Sequence, residues 1–320
     1  MAAGRPIPRI VLGAAKLGSL LPNALVSRRD RARAWHHLDS VLEAGCPAFD
    51  LAASYQLGGT ERMFGNWMSS RRNRDQLFLI TKGGHPYPVV QPHRITPRAL
   101  SDDLDASLRR LRTERVDLFL LHRDDAAAPL EPLLESLALH ERQGKFGAWG
   151  VSNWSHDRIG VVDALARSAG LSPPAASSPH FSLVEWKSTP WRGTISIAGD
   201  ANREARAFYA RTQLPVLAWS PLGRGFFSTG GPDPDSLRTY GTTTNFARRR
   251  RAEELARKYG ATAAQIALAY LLRERFPVFA IVSASTPEKL RSNLDAAKLR
   301  LTDSERRWLE SGDEPSTTTL

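Results

Sequence analysis

With a single cysteine, Cys46, the chain cannot close an internal disulfide, and it shows no cluster of Cys or His at metal-ligand spacing. The expectation is a protein with no metal, suited to a reducing compartment. No apolar run approaches the ~20 residues of a membrane-spanning helix. The N-terminal stretch to Gly13 holds no uninterrupted apolar run long enough for a signal peptide. The chain is therefore read as cytoplasmic, with no membrane partner. Lysine is scarce: seven of the 44 basic residues are Lys and the other 37 are Arg. No G-x-G-x-x-G run follows the first apolar segment, which argues against a dinucleotide site of the Rossmann type.

What is present is a globular composition, 42% hydrophobic and 24% charged over 320 residues, enough to bury a core. The formal charge of +11 and the isoelectric point near 10.3 raise the question of a polyanionic partner. The basic residues are instead dispersed, as at Arg28-Arg29, Arg71-Arg72 and Arg109-Arg110. The one run, Arg248 to Arg251, is followed closely by Glu253 and Glu254. This pattern argues against nucleic-acid binding and leaves open a field that favours an anionic small molecule. Oligomeric state has no signature in the sequence.

Short apolar runs alternate with amphipathic helical patterns, as in repeated βα units around a parallel sheet. Eight such runs read as strands: Arg9–Ala15, Ala48–Ala52, Leu77–Lys82, Val116–His122, Gly147–Ser152, Ala176–Ser182, Leu214–Pro221 and Val278–Ala284. Thr96 before Pro97 opens a helix whose Leu100, Leu104, Leu108 and Leu111 share a face. Thr286-Pro287-Glu288 and Thr302-Asp303-Ser304-Glu305 start two more. Glu185–Asp200, with Trp186 and Trp191, and the Gly/Pro/Ser/Thr-rich Ser228–Thr244 interrupt the rhythm and read as functional or surface loops. The fold class expected is α/β, a single-domain (β/α)8 barrel over residues 1–312, with 313–320 a flexible tail.

In such a barrel the C-terminal strand ends carry the chemistry. Strand two ends at Asp50 and is followed by Tyr55, strand three ends at Lys82, and strand four at His122. Each alone has a plainer reading, as a turn-former, a packing residue or a satisfied structural group, although Lys82 stands out where Arg is the usual cation. Together a carboxylate, a phenol, an ammonium and an imidazole make a general acid–base device. A phenol titrates near 10, and an adjacent ammonium favours its phenolate and lowers that value. The carboxylate holds the ammonium, and the imidazole can hydrogen-bond a substrate oxygen.

The run Phe49-Asp50-Leu51-Ala52-Ala53-Ser54-Tyr55 followed by Gly59-Thr60-Glu61, with Thr81-Lys82 and Leu120-Leu121-His122, resembles the aldo-keto reductases from about Leu12-Gly13 to Ala297. The resemblance implies a barrel oxidoreductase that reduces a carbonyl with NADPH. It implies Tyr55 as acid, Lys82 and Asp50 as its partners, and His122 as the group that orients the carbonyl. It further implies that Gly13, Ser152, Asn153 and Ser178 serve the nicotinamide end of the cofactor. Trp219 would stack on the nicotinamide, with Ser220, Pro221, Leu222, Gly223, Arg224 and Gly225 near the pyrophosphate. Ser285, Lys289, Ser292 and Asn293 would meet the adenosine phosphate and adenine, Lys289 favouring NADP over NAD.

Two positions depart from the family pattern. Ser178 stands where many members have Gln, and Ser292 where a Glu commonly precedes the Asn. The substrate pocket would be walled by Lys16, Tyr87, Arg123 and Trp154, with Trp186 and Trp191 from the first long loop. Its aromatics suit a hydrophobic carbonyl compound or a sugar ring, and Lys16 and Arg123 an anionic or hydroxylated one. His180 reads as a loop residue. The alternatives are the same reaction run as a dehydrogenase, a cofactor-binding regulatory subunit with little turnover, and a nucleic-acid-binding barrel.

Overall fold

The computed structural model describes residues 7–20, 26–87 and 93–313, and the expected tail lies outside them from residue 314 onward. Each of the eight apolar runs carries one strand: β1 Ile10–Gly13, β2 Ala48–Asp50, β3 Phe78–Gly83, β4 Val116–Leu121, β5 Phe146–Ser152, β6 Ser177–Ser178, β7 Val216–Trp219 and β8 Val278–Val282. They follow one another in chain order as the strands of a closed parallel barrel. The fold class is thus the (β/α)8 barrel that the alternation implies. The residues divide into two compact units, one within Met1–Ser178 together with Ser283–Pro287, the other Pro179–Val282 with Glu288–Leu320.

The first unit holds β1 to β6 and the helices α1 Arg28–Glu43, α2 Gly59–Arg71, α3 Pro97–Leu111, α4 Leu130–Arg142 and α5 His156–Ser168. Its strands pair in parallel with residues such as Asp50 opposite Ile80 and Lys82 opposite Leu120. Thr96 caps α3 by accepting from the Ala99 N–H, and Leu100, Leu104, Leu108 and Leu111 are all buried, as the periodicity requires. Each such leucine contributes about 1.5–3 kcal/mol of burial. Gly65 lets α2 come close to α3, because a Cβ there would lie 2.2 Å from the Arg110 carbonyl oxygen. The buried Glu61 carboxylate ties the same elements together, accepting from Thr81 Oγ1 at 2.5 Å and Arg110 Nε at 2.7 Å. β6 is only two residues long, and the proline that follows has no N–H to continue a ladder.

The second unit holds β7 and β8, paired in parallel, with α6 Arg203–Thr212, α7 Pro234–Tyr240, α8 Thr243–Tyr259, α9 Ala263–Leu272, α10 Pro287–Ala296 (from Glu288 onward) and α11 Asp303–Ser311. Thr302 and Glu305 form a capping box at the start of α11. The loop expected at Ser228–Thr244 is not all loop. Asp233 caps the short helix α7 by accepting from the Ser236 N–H, with Pro234 in its first turn. The arginine run of α8 is largely engaged in the fold. Arg248 donates to the Glu310 carbonyl at 3.0 Å and pairs with Glu185 at 2.5 Å, and Arg251 donates to the Leu309 carbonyl at 2.9 Å. These arginines satisfy carbonyls at the C-terminal end of α11, where the helix leaves acceptors unfilled.

Candidate active site

The first unit brings Asp50, Tyr55, Lys82 and His122 together. The ladder continues past the strand ends, with Ala53 N–H donating to the Lys82 carbonyl at 3.0 Å and His122 N–H to the Gly83 carbonyl at 2.8 Å. Beyond β2 the chain turns sharply. Tyr55 is followed by Gln56 and Leu57, both at φ 50, a left-handed conformation that side chains other than glycine adopt only at a cost. The Lys82 ammonium donates to Asp50 Oδ2 at 2.7 Å, the Leu51 carbonyl at 2.8 Å and the Tyr55 hydroxyl at 3.0 Å. An ammonium has three N–H groups, so Lys82 is fully engaged. The Tyr55 oxygen accepts from Lys82, and the hydroxyl also interacts with the Asp50 carboxylate.

The electrostatics of this group keep the direction expected of Lys82 but not the net result. Burial raises the Tyr55 phenol above its ordinary range, and the Lys82 ammonium, which works in the opposite direction, does not overcome it. Tyr55 is therefore fully protonated at neutral pH, an acid with its proton in place. Burial works against the Lys82 charge as well, but Asp50 and Tyr55 outweigh it and hold the lysine above its ordinary value. The Asp50 carboxyl is pushed up by burial, with Lys82 opposing. His122 lies well below the ordinary imidazole value, through burial first and then the nearby Lys82 and Arg123 charges, and is neutral. Its ring meets Tyr55 edge-on at 5.9 Å, and its Nδ1 lies 3.4 Å from Ser54 Oγ.

Around this core the substrate-pocket residues separate. Arg123 is half-buried and its charge acts on Tyr55, so it stands at the site. Tyr87 is 38% exposed and joins it through His85, whose ring lies 4.8 Å from His122 and 6.4 Å from Tyr87. Lys16 is exposed in the turn after β1. Trp154 does not line an open pocket: it is 1% exposed, and its indole N–H donates to the Arg123 carbonyl at 3.0 Å. An amphipathic ring next to a polar backbone is more stable buried with that bond made. His85 and Ser54 were not singled out from the sequence, although His85 directly follows the Gly83-Gly84 end of strand three and Ser54 precedes Tyr55.

At the ends of β5 and β6, Ser152, Asn153 and Ser178 are buried together. Asn153 Nδ2 donates to Ser152 Oγ at 3.0 Å, Ser152 Oγ donates to the Ser178 carbonyl at 3.0 Å, and Asn153 adopts φ 62. One amide and two hydroxyls at this point match in kind the donors and acceptors of a carboxamide. Ser155 caps α5 by accepting from the Arg158 N–H, which leaves Ser152 and Asn153 outside the cap. Gly13 closes β1 opposite Asp50, and Ser285 is exposed.

In the second unit, Trp219 ends β7 among aromatic rings, 5.0 Å from His180, 5.6 Å from Trp191 and 5.8 Å from Trp186. The turn after it is tightly wound, with Ser220 (φ 50), Gly223 (φ 56), Arg224 (φ 56) and Gly225 (φ 97) in left-handed conformations. A Cβ on Gly223 would lie 2.7 Å from Val184. Ser236 of α7 pins the turn by donating to the Gly223 carbonyl at 2.8 Å, so the unexpected helix has a positioning task. Pro221 is buried and Leu222 is half-buried in this turn. Arg224 lies over the Trp191 ring at 5.4 Å and reaches Asp235 at 3.3 Å. A wound turn with glycines and a guanidinium suits a phosphate. Lys289 is exposed in the first turn of α10, Asn293 is buried, and the Ser292 carbonyl accepts from Gln265 at 3.0 Å. His180 lies outside the strands and helices, as expected, but inside the protein. It is fully buried, bonded to Ser196 Oγ at 2.8 Å and the Tyr240 hydroxyl at 3.1 Å, and burial pushes it down to about 3.

Comparison with known proteins places these features in context. Residues 9–313 match the model of the aldo/keto reductase family. A norsolorinic acid reductase of Aspergillus parasiticus is 27% identical over 97% of this chain and 79% of its own length. A putative aryl-alcohol dehydrogenase of Saccharomyces cerevisiae is 25% identical over 99% of this chain and 89% of its own. Among solved structures, a thermostable aldo-keto reductase crystallised with the inhibitor epalrestat superposes with a TM-score of 0.73 at 26% identity, covering 97% of this chain and 96% of the other.

Proposed function

The chain belongs to the aldo/keto reductase family, and on that premise we propose that it reduces an aldehyde or ketone to the alcohol, with NADPH as cofactor and Tyr55 as the general acid. Oxidoreductase chemistry at a carbonyl is the general activity that the family and its relatives support. The specific reading rests on one observation: all three N–H groups of Lys82 are engaged, one of them on the Tyr55 oxygen.

When bound, the nicotinamide supplies the hydride. The chain's own residues do the rest. The Tyr55 oxygen accepts from Lys82 and keeps its own proton to give to the carbonyl oxygen, and the raised pKa holds that proton in place until negative charge develops on the substrate. The ammonium then steadies the phenolate that remains. Neutral His122, whose Nδ1 lies 3.4 Å from Ser54 Oγ, serves in the tautomer that carries its proton on Nε2 and donates a second hydrogen bond to the same oxygen. Asp50 holds Lys82 charged and oriented.

For the cofactor, the proposal assigns Gly13, Ser152, Asn153 and Ser178 to the nicotinamide end, Trp219 to stacking, Ser220–Gly225 to the pyrophosphate, and Ser285, Lys289, Ser292 and Asn293 to the adenosine phosphate. The adjoining rings of Tyr55, His122, His85 and Tyr87 favour a flat substrate, and the relatives named for norsolorinic acid and aryl alcohols favour an aromatic one. A cytoplasmic location belongs to the same reading, in keeping with a sequence that holds one cysteine, Cys46. Oxidation of NADPH in the presence of a panel of aromatic aldehydes tests it. Turnover supports the proposal, whereas tight NADPH binding without turnover of any aldehyde would point to a regulatory subunit.

A further inference from the structure

Building on the reductase reading, we propose that the substrate carries a carboxylate as well as the carbonyl, and that Arg123 is the residue that selects it. Two cations stand at the site, and they differ in what they have left to offer. Lys82 is saturated by Asp50, Leu51 and Tyr55. Arg123 has five N–H donors, and among the described residues it makes one hydrogen bond, from Nη1 to the His122 carbonyl at 2.9 Å.

The neighbouring acids are all held by other groups. Asp124 receives Arg158 Nε at 2.9 Å, Asp125 receives His93 at 2.7 Å and the Ala127 N–H at 3.1 Å, and Asp103 receives the Gly84 N–H at 2.8 Å and Arg94. No carboxylate among the described residues pairs with Arg123. Neither adjacent imidazole, His85 or His122, can balance it, because an imidazole is neutral or cationic.

The arginine is also held in place. Trp154 fixes its backbone through the bond to its carbonyl, and Arg158 lies over the Trp154 ring at 5.0 Å. A half-buried guanidinium that is anchored on the His122 carbonyl, within electrostatic reach of Tyr55 and with no carboxylate partner among the described residues, presents a planar fork matched to a carboxylate. The strip of rings from Tyr55 through His122 and His85 to Tyr87 gives the body of a flat molecule its bed. An aromatic aldehyde bearing a carboxylate satisfies both features at once.

The test compares kcat/KM for carboxybenzaldehyde isomers and for their neutral methyl esters in the wild type, Arg123→Gln and Arg123→Lys. The wild type is expected to favour at least one acid over its ester by about tenfold or more. That ratio should fall toward one in Arg123→Gln and be kept in part by Arg123→Lys. A ratio near one in the wild type, or a ratio unmoved by Arg123→Gln, would overturn the proposal while leaving the reductase reading intact. Turnover of no aldehyde, acid or ester, would instead sink the reductase reading. Calorimetric titration with benzoate probes the Arg123 contact without turnover: binding about tenfold weaker in Arg123→Gln is expected, and equal binding would overturn the assignment.

Discussion

Lys82 Nζ donates to the Tyr55 hydroxyl at 3.0 Å, so the phenol accepts from its neighbour and still carries a proton of its own. Replacing Tyr55 by Phe removes the proton and leaves the ring. Reduction of any aldehyde should then fall by about a hundredfold or more, while the Kd for NADPH, followed by fluorescence, changes little. Wild-type turnover in Tyr55→Phe would remove the basis for assigning it as the acid.

The Lys82–Asp50 pair, 2.7 Å apart and 3% and 4% exposed, predicts a specific pattern of stability. Lys82→Met leaves the Asp50 carboxylate buried without its ion pair and should cost about 3–5 kcal/mol. Adding Asp50→Asn removes the orphaned charge, so the double variant should be more stable than Lys82→Met alone, although inactive. Denaturant unfolding of the two variants decides the point. A double variant less stable than the single would show that the pair is not the main interaction at this position.

The shifts at Tyr55 and His122 define a pH profile. His122 lies well below its ordinary value and Tyr55 above its own, so neither titrates between pH 6 and 8. With saturating NADPH, kcat for reduction should be flat across that range and fall only above the ordinary phenol value of about 10, as Tyr55 loses its proton. A fall in kcat with a midpoint near 6.5 would mean that His122 titrates in the working site and is not the neutral donor described here.

Much of the fold and of the proposed acid–base group was legible in the sequence. Strands buried on both faces leave apolar runs wherever they occur, and the Thr96-Pro97 start is a local signal that needs no tertiary context. What escaped depended on burial. The sign of the Tyr55 shift is set by how much water is excluded around its own hydroxyl, which the order of residues does not encode. Trp154 and His180 look alike in sequence whether they face a pocket or a core, and only the bonds to the Arg123 carbonyl, Ser196 and Tyr240 tell them apart. Helix α7 was hidden by composition. Its Asp233-Pro234 start lies in a Gly- and Ser-rich stretch that reads as loop.

Cofactor preference has its own test. Lys289, exposed in the first turn of α10, is proposed to meet the 2′-phosphate that distinguishes NADPH from NADH. Lys289→Ala should weaken NADPH by about tenfold and NADH hardly at all, read as the two Kd values from fluorescence titration. Equal losses for both cofactors would remove the 2′-phosphate from its role.

His180 supplies the last prediction, which concerns stability. In the folded chain its ring is enclosed by Trp186, Trp219 and Tyr240, and burial lowers its pKa from 6.5 to about 3. The unfolded chain takes up a proton as the pH drops below 6.5, and the folded chain does not until about 3. The stabilising effect of the neutral ring is therefore complete above 6.5 and declines progressively as the pH falls toward 3. At pH 5 the loss from this one residue amounts to about 2 kcal/mol relative to pH 7.5. His180→Gln keeps a polar side chain but cannot titrate. It should be less stable than the wild type at neutral pH, because the bonds to Ser196 and Tyr240 are disturbed, yet lose less stability on acidification. Urea unfolding of both proteins at pH 7.5 and pH 5 measures the difference. If both lose the same amount, the His180 ring admits a proton in the folded state, and the enclosure described here is not maintained in solution.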